Sequence, residues 1–127
     1  MSGKVVHFEI PFDDGDRARA FYGRTFGWQT VPVPGMGYAM AITGPSDPAE
    51  GPSEPKFING GMFQRNEQFP VKAPNVVIDV PDVDEALRRV EAAGGSTVVG
   101  RTPVGDMGFT GYFTDTEGNL LGLWEST

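Results

Sequence analysis

The chain has 127 residues, with 17 Asp+Glu against 10 Lys+Arg and a net charge of −7. That is one domain's worth of protein with the wrong charge for nucleic acid or an anionic membrane surface, whose binding rests on clustered basic residues. The absence of Cys removes disulfides, thiolate ligands and a cysteine nucleophile.

Met1 to Lys4 lack the apolar core of a signal peptide, and no apolar run approaches the ~20 residues that span a bilayer. The expectation is therefore a cytoplasmic protein without a membrane partner. Val5 to Ile10 alternates apolar and polar residues, which predicts a strand with Val6, Phe8 and Ile10 on one face and His7 and Glu9 on the other. After an Asp-rich turn, Ala18, Phe21, Tyr22, Thr25 and Phe26 recur at helical spacing and predict one apolar stripe lying on Val6, Phe8 and Ile10. Asp13, Asp14 or Asp16 can cap this helix, and Gly27 can end it in a left-handed conformation.

Gln29 to Val33 and Tyr38 to Thr43 read as strands around a turn at Pro34-Gly35-Met36-Gly37. Gly44 to Lys56 carries four prolines and reads as a loop, either a solvated connection or a lid. Phe57 to Gln64 resumes a strand, and Arg65 to Pro74 reads as a linker.

The pattern then restarts. Asn75 to Val80 is a strand, Val83, Ala86, Leu87, Val90 and Ala93 form a helix stripe, and Gly94-Gly95 stop it. Asp82 followed by Glu85 resembles a capping box. Asp14 and Asp82, Asp16 and Asp84, and Ala18 and Ala86 are each separated by 68 positions (82−14, 84−16, 86−18). Met36-Gly37-Tyr38 answers Met107-Gly108-Phe109 at a shift of 71 (107−36), and Asn59 and Asn119 each precede a last strand. An internal repeat of this kind predicts an α+β fold of two βαβββ modules in one domain, 1–127. Module one covers about 1–64, the linker about 65–74 and module two about 75–127.

These modules, with Arg19-Ala20-Phe21-Tyr22, Phe26-Gly27-Trp28, Met107-Gly108-Phe109 and Asp115-Thr116-Glu117-Gly118-Asn119 before Gly122-Leu123-Trp124, resemble the vicinal oxygen chelate superfamily. That superfamily includes glyoxalase I, extradiol dioxygenases, and fosfomycin- and bleomycin-resistance proteins. The likeness is greatest to its glyoxalase-like proteins that end in a Gly-Leu-Trp type strand. The resemblance implies a cup-shaped mixed β-sheet with helices on the outer face, and exposed sheet edges suggest a homodimer.

In metal-dependent members, the first and last strands of each module each supply a ligand. Those positions here are His7, Asn75, a residue within Gly60 to Met62, and Gly122. Only His7 is a good donor, and a divalent ion wants three or four. The expectation is no metal and no cofactor.

The remaining polar candidates are His7, Glu9, Asn75 and Asp79 on the cavity-facing sides of the two first strands. Tyr112 alternates with Thr110, and Trp124 lies at the rim. A Tyr at the position matching Tyr112 reaches substrate in fosfomycin-resistance members; otherwise its ring closes a wall. Trp124 either stacks on a ligand or plugs the sheet end.

Three functions follow. The first is metal-free binding of a small organic molecule through His7, Glu9, Asn75, Asp79, Tyr112 and Trp124. The second is a metal-independent lyase or isomerase using His7 and Glu9 as catalytic residues. The third is a metal-dependent glyoxalase or dioxygenase.

Overall fold

Strand β1, Val5–Phe12, runs two residues past its predicted end and takes Pro11 into the ladder. A computed structural model describes residues 3–35 and 37–127. Met1, Ser2 and Met36 lie outside the described residues, and with them part of the leading segment and part of the Met36-Gly37-Tyr38 turn. Helix α1, Gly15–Phe26, begins at the N-cap Asp14, whose carboxylate accepts from Arg17 N–H at 3.1 Å. It ends at Gly27, whose φ of 75° is the left-handed geometry expected there.

The following strands are β2, Gln29–Val33, and β3, Tyr38–Ile42. Next come the short pair β4, Ser46–Asp47, and β5, Gly51–Pro52, and then β6, Gly60–Gln64. The Pro-rich segment is thus not wholly loop, because β4 and β5 pair antiparallel within it. β6 starts at Gly60, three residues later than the sequence pattern suggests. Asn59 explains the delay: its side chain accepts from Thr43 N–H at 2.9 Å and donates to Ser46 Oγ at 2.8 Å.

The second half contains β7, Asn75–Asp79, α2, Val83–Ala92, β8, Ser96–Val104, β9, Gly108–Thr114, and β10, Leu120–Ser126. Asp82 caps α2 through Glu85 N–H at 3.1 Å. Glu85 turns its own carboxylate to Arg88 and Arg89 instead of closing the box.

The chain divides into two compact units. One is His7–Pro74; the other is Asn75–Thr127 with the leading residues through Val6. Strand order is β2-β3-β6-β1 in the N-terminal unit and β7-β10-β9-β8 in the C-terminal unit. Each unit joins its first and last strands in parallel, β1 with β6 and β7 with β10, and its other long strands antiparallel. The α+β class with mixed sheets follows directly. No helix among the described residues is long and apolar enough to cross a membrane.

The C-terminal core joins Val80, Val83, Leu87, Phe113 and Leu123, so α2 packs by the predicted stripe. In the N-terminal unit Phe12, Ala41 and Met62 are buried, with Phe8, Ile10, Ala18, Tyr22 and Trp28 packed on them. The predicted α1 stripe is only half correct: Phe21 is 56% and Phe26 62% exposed. Trp28 stacks on Tyr22 with ring centres 4.7 Å apart and takes the end of that core, so the two phenylalanines stay outside. Val6 is also exposed and is not among the residues of this core.

Candidate functional site

Alternation along β1 puts Phe8 and Ile10 into the helix-side core and turns His7 and Glu9 to the other face. Glu9 pairs in register with Gly61 of β6, and Gly61 pairs with Met40 of β3. Two residues before Met40 on the same face of β3 stands Tyr38. A Cβ built on Gly61 would run into the Tyr38 ring, 2.6 Å from its Cε2, with the hydroxyl nearer still. A Cβ on the neighbouring Gly60 would meet Phe8 on the core side at 2.5 Å. The Gly-Gly pair is therefore needed on both faces, one for each ring.

The Tyr38 hydroxyl reaches to 3.5 Å from His7 Nε2. Burial lowers the His7 pKa, so the ring is neutral at pH 7 and offers a lone pair. Burial first, and the Glu9 carboxylate second, push the Tyr38 phenol up to about 12. Glu9 itself is buried, at 8% exposure. The N-terminal unit thus gathers His7, Glu9 and Tyr38 on one strand face.

Tyr38 is not among the candidate site residues read from the sequence, where it figures only in the hairpin repeat. The shift of 71 pairs it with Phe109, but Phe109 packs against the C-terminal core while Tyr38 faces away from Ala39 and Ala41. The readable signal lay elsewhere, in Tyr38 alternating with small residues opposite a Gly-Gly strand.

In the C-terminal unit Gly122 pairs with Val77 on one side and Tyr112 on the other. A Cβ on Gly122 would lie 3.1 Å from Tyr112 Cε1 and 3.2 Å from Val77 Cγ2. Tyr112 is 3% exposed and, as its alternation predicts, faces away from Phe109 and Phe113. Asn75 begins β7, and neither atom of its buried side-chain amide has a hydrogen-bond partner among the described residues. Asp79 pairs with Trp124. The Trp124 indole donates to Ser126 Oγ at 3.1 Å, and its Cζ2 would lie 2.9 Å from a Cβ on Gly108. That ring closes over the strand end at Gly108. The structure therefore places His7 and Glu9 with Tyr38, and Asn75, Asp79, Tyr112 and Trp124 on their own unit.

The metal that the fold implies can be tested against these donors. At position 61 the Tyr38 phenol fills the room a ligand side chain would use, and at position 122, where glycine supplies no donor, a Cβ would lie in tight contact 3.1 Å from the Tyr112 ring. Glu9 is the carboxylate that shares a strand face with His7, and no cluster of three His, Cys, Asp or Glu donors occurs among the described residues. The residues present do not fit a divalent ion.

Residues 4–44 match the family model described as bleomycin resistance protein-like N-terminal. A glyoxylase-like domain-containing protein of Didymella fabae is 28% identical over 127 residues, 94% of this chain and 91% of that one. The structure of methylmalonyl-CoA epimerase from Mycobacterium tuberculosis matches with a TM-score of 0.63 at 18% identity, over 98% of this chain and 88% of that one. The chain has the vicinal oxygen chelate fold. A hypothetical protein from Bacillus halodurans C-125 matches this fold with a TM-score of 0.68 at 15% identity, over 100% of this chain and 96% of that one. A vicinal oxygen chelate fold hosts unrelated reactions, so the site residues must carry any argument about activity.

Proposed function

We propose that this glyoxalase-like chain binds a small organic molecule on the His7–Glu9–Tyr38 face without a metal. Supporting this reading is the Tyr38 phenol, which stands over Gly61 where a metal-ligand side chain would need room. A protonated phenol donates a hydrogen bond to an acceptor oxygen of the ligand, and neutral His7 accepts one. For the C-terminal unit the proposal keeps Asn75, Asp79 and Tyr112 as ligand contacts, with Trp124 at the end of their strand face. The proposal includes a homodimer, which a light-scattering mass of two chains at micromolar concentration supports and a single-chain mass overturns.

A thermal-shift screen of metabolites and antibiotics supplies the ligand. Tyr38→Phe and His7→Asn then weaken binding by about 1–3 kcal/mol, the cost of unpairing a buried polar group. Unchanged affinity in both variants rejects the reading.

A second reading is favoured by one observation: a buried carboxylate and a neutral imidazole flank a phenol held in its protonated form. This set suits proton transfer at carbon. Neutral His7 takes the proton from a carbon next to a carbonyl, and Tyr38 hydrogen-bonds the oxygen on which charge develops. For a β,γ-unsaturated carbonyl compound, the imidazolium then returns the proton to the γ carbon of the delocalised anion, which gives the conjugated isomer and restores neutral His7. The epimerase among the structural neighbours carries out chemistry of this broad type by its printed name. In this case His7→Asn leaves binding intact and lowers turnover by roughly 100-fold or more.

A further inference from the structure

On the other side of β1 from His7 and Glu9, a groove of about 370 Å³ opens along the N-terminal half of α1. Ile10, Phe12 and Ala18 form its base, with Phe21, Tyr22, Arg17 and Arg65 around it. Its size falls in the range of small-ligand sites, roughly 300–1,000 Å³. The two aromatic walls meet at a corner: the rings of Phe21 and Tyr22 are 5.1 Å apart and inclined at 86°. Tyr22 is backed by Trp28 at 4.7 Å and 9°, which fixes that wall. A flat ring placed in such a corner meets one wall by its face and the other by its edge, the two arrangements that aromatic pairs prefer.

The charges at the rim are unequal. Arg65 is held by Asp13 at 2.8 Å, Arg19 by Asp16, and Asp14 is engaged in capping α1. The Arg17 side chain has no ion pair or hydrogen bond among the described residues. One uncommitted guanidinium therefore stands beside an aromatic corner in a chain that is otherwise strongly acidic.

We propose that this groove is a second binding site, for a planar aromatic molecule carrying one anionic group such as a carboxylate. Phe21 and Tyr22 hold the ring, and Arg17 pairs with the anion in the forked geometry that suits carboxylates. This also accounts for Phe21 at 56% exposure on a helix with no fully buried residue. The site does not depend on the His7–Tyr38 reading, since the two lie on opposite faces of β1.

The test is an amide chemical-shift titration of the full chain with 1-naphthoate and, separately, with its neutral counterpart 1-naphthalenemethanol. The expected result is saturable naphthoate shifts centred on Asp14 to Tyr22 and on Arg65. Arg17→Glu weakens naphthoate about tenfold, the worth of one good charge-assisted contact, and changes the neutral probe by less than about twofold. Phe21→Ala weakens both. Arg17→Glu adds a negative charge near a helix N-terminus, so the fold is expected to tolerate it, and an unchanged thermal midpoint verifies this. Shifts that do not saturate up to the solubility limit overturn the proposal. So does an equal loss for both probes in Arg17→Glu, or indifference of both to Phe21→Ala. A two-chain mass that falls to one chain in Phe21→Asp also overturns it, since a second copy of the chain then covers the groove.

Discussion

Tyr38 and Gly61 compete for one place on the sheet: the phenol ring lies where any side chain at position 61 would begin. Gly61 does not have a positive φ, so its backbone would accept alanine. Elsewhere such a replacement gains about 0.4–1 kcal/mol by restricting the unfolded chain. Here overlap with Tyr38 reverses the sign, and Gly61→Ala is expected to cost about 1–3 kcal/mol, the usual range for overpacking. In a Tyr38→Ala background the cost disappears, which urea unfolding of the four proteins reads as a coupling energy. Equal costs in both backgrounds would show that the ring is not what keeps position 61 a glycine.

Much of this arrangement was legible because it is local or periodic. The alternation of Val5 to Ile10 placed His7 and Glu9 together, the Asp13–Asp14–Asp16 group and Gly27 bracketed α1, and the shift of 68 found β7 and α2. What escaped depends on tertiary competition. Helical spacing gives the angle at which Phe21 and Phe26 leave α1, but not that Trp28 takes the core position beside Tyr22. Tyr38 was hidden because a shift of 71 changes strand parity relative to the shift of 68. The hairpin repeat therefore matched a residue facing away from its core with one facing into it. Glu125 carried no motif at all; its partners lie on β8 and α2, distant in sequence.

Asn75 tests whether the polar face trades stability for recognition. Its amide nitrogen and oxygen are buried without partners among the described residues, and leaving a buried group unpaired costs about 1–3 kcal/mol. Asn75→Leu, of similar size, is expected to stabilise the free protein and raise its thermal midpoint by about 2–8 °C. Ligands found for the wild type are expected to bind this variant less well. A lower midpoint in Asn75→Leu would mean that the amide is satisfied in the folded chain.

His7 sets a stability slope near neutrality. Burial holds its pKa below the ordinary imidazole value of about 6.5, so the unfolded chain binds a proton more readily than the folded one. This contribution is fully present above about pH 6.5 and is lost as pH falls from there through the lower folded value. His7→Gln removes the titration. From pH 7.5 to 5 the thermal midpoint of wild type is expected to fall relative to that of the variant, and curves that stay parallel would refute the assignment.

Glu125 adds a slope of the same sign at lower pH, and it ties three elements together. Its carboxylate accepts from the Arg101 guanidinium of β8 at 2.9 and 3.0 Å and from the Val83 N–H at the start of α2 at 2.9 Å. Arg101 in turn lies 3.5 Å over the Phe109 ring of β9. The Arg101 hydrogen bonds first, and the Val83 amide second, pull the Glu125 pKa down from 4.5 to about 2. As pH falls, the unfolded chain therefore takes up this proton before the folded one does. The stabilisation is present above about pH 4.5 and is lost as pH falls toward about 2. Asp115 and Glu85 are also depressed, so the slope of wild type alone does not isolate Glu125. The informative quantity is the difference from Glu125→Gln, measured by urea unfolding at fixed pH. That variant is expected to be less stable than wild type at pH 7 and to lose less on acidification from pH 5 to pH 2.5. Arg101→Met should flatten the same window by removing the largest cause of the shift. If all three proteins lose stability in parallel, the β8–α2–β10 connection through Glu125 is not what carries the acid sensitivity.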